Sequence, residues 1–293
     1  MTLIRHYLLA LQFFTRIPIT GRLAEWVGFS PAMMRAAAGH LPGVGLLVGG
    51  LAAGVAWGAL QALPPVQGLT PLVAAALATL ATVWVTGAFH EDGLADTADG
   101  LGGSAERSRA LEIMKDSRIG SYGAVALVLA LLTKVLLLGL LGAVHPGLLP
   151  VALLLGHVLS RFWPLLTMAT LAHVNAPGHS KSKLIAEQLG WGGLLCGVLW
   201  CVIAVVLLSW GVFAMHLIAA PAYYTRSTAP LALVVMVGAA LLASAAVWWW
   251  MRHLLRRRLQ GFTGDGLGAT QQLCELAVYL ALSLAAGPLG RCV

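Results

Sequence analysis

Long apolar stretches alternate with short polar ones along this chain, and their lengths are those of a lipid bilayer. Runs of roughly 20 residues, enough for a helix to cross a ~30 Å hydrocarbon core, cover 42–61, 69–89, 122–143, 148–172, 190–218, 229–251 and 268–287. The pattern predicts about seven spanning helices. Ahead of them, residues 3–19 set Leu3, Ile4, Leu8, Leu11 and Ile17 between Arg5 and Arg16. That stretch is too short and too basic for a full span and reads as an N-terminal interfacial helix, with an eighth span or half-span as the alternative. Connections at 62–68, 144–147 and 219–228 are short and built from Pro, Gly and small residues, so no domain is expected on that side of the membrane. The expected fold class is all-α, a polytopic helical bundle forming a single membrane-embedded domain over 1–293. The small-residue run GVGLLVGG at 43–50 is expected to serve close helix packing.

Composition strengthens this picture. Of the 293 residues 59% are hydrophobic and 10% charged, with a mean hydropathy of +0.86, against roughly 25% charged residues in soluble domains. A pI near 9.6 raises the question of nucleic acid, but in a membrane protein the placement of basic residues matters more than their total. With seven spans, fourteen of the eighteen Lys and Arg fall on one side and two, Arg226 and Arg291, on the other, while Lys134 and Arg161 lie inside spans. This bias puts the N-terminus and the loops at 90–121, 173–189 and 252–266 in the cytoplasm, and no nucleic-acid partner is expected. The basic run RHLLRRR at 252–258 reads as a topology determinant. No A-x-A cleavage site follows the first apolar stretch, so the N-terminus is expected to be retained. The four cysteines, Cys196, Cys201, Cys274 and Cys292, include no C-x-x-C pair and suggest neither a disulfide framework nor a metal site. An internal repeat of the kind found in many transporters is not evident.

The acidic residues carry the chemistry. Seven of the eleven, Glu91, Asp92, Asp96, Asp99, Glu106, Glu112 and Asp116, lie within 26 residues. In HEDGLADTADGLGG, Asp92, Asp96 and Asp99 are spaced i, i+4, i+7, and at ~100° per residue they occupy about a 60° stripe of one helix face. Three carboxylates on one stripe repel each other unless a hard cation sits among them, and Mg²⁺ prefers carboxylate and phosphate oxygens. The bland alternative is a solvated acidic helix start favoured by the macrodipole. Downstream, in ALEIMKDSRIGSYG, Asp116 is a further candidate ligand, and Lys115 and Arg118 are candidates to face phosphate oxygens. Acids followed by bases follow the electrostatic plan of phosphoryl transfer.

Other polar residues have two readings each. Arg161, within a span and beside Ser160, either faces substrate or braces the site, or forms a structural ion pair, with Glu275 as the candidate partner. Lys134 reads as a snorkelling or buried paired residue more readily than a functional one. The loop HSKSKLIAEQ offers His179, Lys181 and Lys183 either to a diphosphate or to anionic lipid. Asp265, among the glycines of GFTGDGLGA, either holds a metal or a ribose hydroxyl or caps a helix. His90 is either a general base or a satisfied interfacial histidine.

At FFTRIPI (13–19), LPGVGLLVG (41–49), GAFHEDGLADTADG (87–100), LEIMKDSRIGSYG (111–123), Ser160–Arg161 and GFTGDGLGATQQLCE (261–275) the chain resembles the cobalamin synthase family, adenosylcobinamide-GDP ribazoletransferases. The resemblance implies a catalytic domain in the bacterial cytoplasmic membrane with its active-site loops cytoplasmic. It implies that α-ribazole, or its 5′-phosphate, is joined to adenosylcobinamide-GDP with release of GMP, in Mg²⁺-dependent assembly of the cobalamin nucleotide loop. On this expectation Asp92, Asp96, Asp99 and Asp116 hold Mg²⁺, and His90 and Asp99 are catalytic. Lys115, Arg118, Arg161, Lys181 and Asp265 then contact substrate. Membrane lipid is an expected partner, and homo-oligomerisation is left open. Glu91 departs from the family pattern, in which an apolar residue is expected. The D-x-x-D-G spacing at Asp96, Asp99 and Gly100 is also similar to the start of the CDP-alcohol phosphotransferase signature, but the continuation fails. A lipid enzyme of that kind is the alternative function, with a secondary transporter behind it.

Overall fold

The N-terminal apolar stretch forms α1 (Thr2–Phe14), which buries Leu9, Ala10, Leu11 and Phe14 and leaves Leu3 and Ile4 exposed. The computed structural model describes residues 2–174, 189–218 and 229–290. Beyond Phe14 the helix does not continue to 19. The Thr15 hydroxyl donates back to Leu11 O, Pro18 supplies no N–H, and two short helices follow, α2 (Gly21–Val27) and α3 (Pro31–Ala38). Ser30 caps α3 by accepting from Met33 N at 3.1 Å, with proline at the first helical position.

Among the described residues, six helices are long and apolar enough to cross a membrane: α4 (Leu41–Ala62), α5 (Leu69–Thr86), α8 (Ser121–Val144), α9 (Leu148–Thr170), α10 (Trp191–Ile218) and α11 (Ala229–Arg258). The chain is therefore a multi-pass, all-α membrane protein. Among the described residues, the only strand-type pairing is a single β-bridge between His173 and Phe262. The seventh expected span is α12 (Gly264–Gly290), 27 residues and about 40 Å long at ~1.5 Å per residue. It falls short in apolarity because it is a central helix, packed by α6, α8, α9 and α11. Its Gln271, Gln272 and Glu275 are buried against protein, the only setting in which such side chains are tolerated at membrane depth. The glycine-rich start of α4 serves packing as expected: a Cβ on Gly45 would lie 2.2 Å from His157 O of α9.

The expected polar loop at 90–121 is mostly helical, with α6 (Phe89–Gly103) and α7 (Arg107–Ile113). α6 is not a continuation of α5. Gly87 and Ala88 both adopt left-handed backbone angles, φ 67° and 59°, a conformation costly for alanine. The step displaces α6 out of line with α5 and against α12 and α8. The Arg16 side chain lies over Gly87, where a Cβ would meet Arg16 Nε at 2.4 Å, and Arg16 N donates to Val85 O at 2.7 Å. The far end of α6 is closed by a residue from α11. Arg258 donates to Leu101 O at 3.1 Å and Ser104 O at 2.6 Å, placing a cation at the helix C-terminus where the macrodipole favours it.

Candidate active site

The helical periodicity expected for HEDGLADTADG is realised in α6, and the neighbours of that helix decide what each acid does. α6 and α12 cross at two glycines. A Cβ on Gly93 would lie 2.8 Å from Asp265 O, and one on Gly268 3.3 Å from Gly93 Cα. Backbone contact this close brings Asp265 beside the acids of α6. Burial, then the carboxylates of Asp92, Asp265 and Asp99, raises Asp96 to about 7. Burial and then Asp92 raise Asp265 to about 6. Asp92, Asp96 and Asp265 thus form one mutually repelling group, which an added cation would relieve.

The other two proposed ligands are engaged elsewhere. Asp99 accepts from Gly120 N at 2.7 Å and from Gly123 N at 2.8 Å, one bond to each carboxylate oxygen. It thereby satisfies free N–H groups at the start of α8 and ties that helix to α6. Asp116 lies nearer the surface, hydrogen-bonded and ion-paired to Arg118 at 2.6 Å, and the Arg118 hydrogen bonds pull its carboxyl down to about 2. Lys115 and Arg118 are exposed on the same turn, and Lys181 lies outside the described residues.

Asp92 and Asp265 open onto a cavity of about 310 Å³ that also contacts His90. His90 is buried, and burial holds its imidazole well below the usual histidine range, in the neutral form. Apart from His173 the rest of the wall is largely apolar, with Phe13 and Phe14 from α1, Phe89 from α6, Leu165 and Met168 from α9, and Phe262.

Behind the cavity lies a polar network that sequence reasoning reached only in part. Lys134 Nζ pairs with Glu275 at 2.6 Å, both fully enclosed, as the buried-pair reading of Lys134 expected. Glu275 also accepts from Tyr279 Oη at 2.7 Å and from Gln271 Nε2 at 2.6 Å. Gln271 reaches Ser160 Oγ at 2.8 Å. Arg161, for which an ion pair with Glu275 is the alternative reading, donates instead to His157 O at 3.0 Å and meets His157 Nδ1 at 2.8 Å. Glu91, the departure from the family pattern, accepts from Gln272 at 3.1 Å. It is a buried acid that offsets one of the two buried cations. A polar i, i+1, i+4 pattern at 271, 272 and 275 within an apolar run was the signal for this network.

Comparison with known proteins bears on this geometry. The profile of the cobalamin-5-phosphate synthase family matches residues 6–283. The chain belongs to the cobalamin-5-phosphate synthase family. Relatives within it carry the name adenosylcobinamide-GDP ribazoletransferase. The protein of Albidiferax ferrireducens is 57% identical over 96% of this chain and 98% of its own length. That of Polaromonas naphthalenivorans is 53% identical over 96% and 98%, and that of Leptothrix cholodnii 44% over 94% of each. No solved structure matches the chain. As a member of the cobalamin-5-phosphate synthase family the chain is an enzyme, a transferase of cobalamin synthesis, and its match takes in the parts of α6 and α12 that carry the clustered carboxylates.

Proposed function

We propose that the protein joins α-ribazole, or its 5′-phosphate, to adenosylcobinamide-GDP and releases GMP, using Mg²⁺ on the cytoplasmic face of the bacterial inner membrane. The observation that carries this reading is the gathering of Asp92, Asp96 and Asp265, two of which, Asp92 and Asp265, share the wall of a largely apolar cavity with His90. The relatives named above support the choice of substrates.

The carboxylate group fits Mg²⁺. Among the described residues no three His, Cys, Asp or Glu side chains form a ready-made cage, and Mg²⁺ is ordinarily held by one or two carboxylates together with water and substrate phosphate oxygens. One or two of Asp92, Asp96 and Asp265 would hold it, with water and a phosphate oxygen completing the set. When bound it neutralises charge on the phosphoryl group in transfer. His90 takes the proton of the attacking ribose hydroxyl. Lys115, Arg118, Lys181 and Arg161 remain the candidate phosphate contacts, the first three from the cytoplasmic side. Asp99 acts by holding the start of α8 in register with α6.

The test is direct. Purified protein in nanodiscs, given adenosylcobinamide-GDP, α-ribazole and Mg²⁺, should yield cobamide and GMP, read by absorbance and mass. Turnover with CDP-activated alcohols alone, or no cobamide from a folded protein supplied with both substrates and metal, overturns the reading.

A further inference from the structure

The cavity beside His90 is small and particular in its chemistry. At about 310 Å³ it lies at the small end of ligand pockets, which run from ~300 to ~1,000 Å³. Its wall is rich in phenyl rings. Phe13, Phe14 and Phe89 meet one another at centroid distances of 4.9, 5.8 and 5.9 Å in edge-on geometry, and Phe262 packs against His173 at 5.2 Å. Edge-on clusters of this kind present faces and edges to which a flat aromatic guest can stack. Among the described residues, no Lys or Arg lines the cavity; its charged groups are Asp92 and Asp265, both acceptors suited to hydroxyl donors.

These features discriminate between the two substrates. A diphosphate needs cations around it, and beyond the Mg²⁺ that the carboxylates would hold at one part of the wall the phenyl-rich lining supplies none among the described residues. Guanine carries many donors and acceptors, which this wall would leave unpaired at a cost of about 1–3 kcal/mol each. An adenosylated corrin is far larger than the space. A benzimidazole nucleoside matches every feature, because its base is flat and hydrocarbon-rich and its ribose offers hydroxyl donors. We propose, resting on the function assigned above, that this cavity is the seat of the nucleoside acceptor, with the base among the phenyl rings and the ribose at Asp92, Asp265 and His90. The corrinoid nucleotide docks outside it. A ribose hydroxyl oxygen then forms the bond to the cobinamide phosphorus, the bond to GMP breaks with its electron pair leaving on GMP, and the hydroxyl proton passes to His90.

Gly264 gives the means of testing this. It lines the cavity, and a Cβ there would meet no atom within 4 Å, so Gly264→Leu adds bulk without a backbone clash. Phe13→Leu, at a half-exposed wall position, removes a ring instead. Equilibrium dialysis of labelled α-ribazole against the full-length protein in nanodiscs, with EDTA and no corrinoid, should show binding that excess GMP does not displace. Gly264→Leu should weaken it at least tenfold. In steady state both variants should raise KM for α-ribazole by that order and leave KM for adenosylcobinamide-GDP within about twofold. Displacement by GMP, a rise in the corrinoid KM instead, absence of α-ribazole binding by the parent, or unchanged constants in both folded variants overturns the proposal. If the parent binds α-ribazole as described yet forms no cobamide, the functional reading fails while the cavity assignment stands.

Discussion

Glu275→Gln removes one charge and almost no volume from the most enclosed part of the molecule. In the parent, Glu275 answers Lys134 at 2.6 Å and accepts from Tyr279 and Gln271, while Arg161 lies buried nearby with Glu91 as the other acid. Two buried cations thus face two buried acids. The amide leaves one cation uncompensated, and breaking a buried pair in this way costs about 3–5 kcal/mol. It also keeps only one acceptor oxygen where the carboxylate had two. Lys134→Met should cost a similar amount by stranding the acid. The double variant restores neutrality, with Arg161 and Glu91 remaining, and replacing both partners of a buried pair is often neutral. Reversible unfolding in mixed detergent micelles should therefore give two strongly destabilised single variants and a double variant far more stable than their sum, with a coupling of about 3 kcal/mol. Additive effects, or a Glu275→Gln cost below about 1 kcal/mol, would show that the pair is not the electrostatic anchor described here.

Asp92→Asn, Asp96→Asn and Asp265→Asn should each lower turnover by ~10²-fold or more, about 2.7 kcal/mol of transition-state stabilisation. Glu112→Gln, at an exposed residue paired with Arg109, should stay within a few-fold, and equal damage at Glu112 would reject the assigned group. With Asp96 raised to about 7 and Asp265 to about 6, Mg²⁺ affinity should fall as pH drops from 7.5 to 5.5. Because these carboxyls are raised in the folded state, they favour the folded metal-free protein at pH 5 over pH 7.5, a contribution lost as pH rises through 6 and 7 and absent from an Asp96→Asn, Asp265→Asn double variant. Saturating Mg²⁺ should reverse that trend, and a calorimetric series without it would count against the clustering. A cysteine at Ser104, at the end of α6, should react with an impermeant thiol reagent only from the cytoplasmic side; labelling from outside inverts the orientation.

What was legible in the sequence followed from periodicity and cost. The i, i+4, i+7 spacing of Asp92, Asp96 and Asp99 announced a helix face, and α6 is that helix. The expense of a lysine in lipid announced a partner for Lys134, and Glu275 is that partner. Asp265, singled out among its glycines, stands with the acids of α6 because Gly93 and Gly268 allow backbone contact. What could not be read was the division of labour within the stripe. Whether Asp99 turns to a ligand or to Gly120 and Gly123 depends on where α8 begins in space, and local spacing carries no information about that. The phenyl wall was equally hidden, since Phe13, Phe89 and Phe262 come from distant parts of the chain and each alone is an ordinary apolar residue. Arg258, taken as a topology signal, also closes the end of α6.

The polarity of α12 has a consequence for how the protein is made. An acid near the middle of an inserting helix costs about 2.5–3.5 kcal/mol at the translocon, and α12 adds two glutamines to Glu275. Such a segment gains little by partitioning into lipid alone. Lys134, His157 and Glu91, which receive its polar side chains, belong to helices synthesised before it. Satisfying the polar side chains of α12 is thus contingent on a receptor formed by α6, α8 and α9, and Asp265 arrives with that helix. A nascent bundle that has not docked α12 has an open groove in place of a core and lacks one of its three clustered carboxylates, so completion of the fold and completion of the site are a single event.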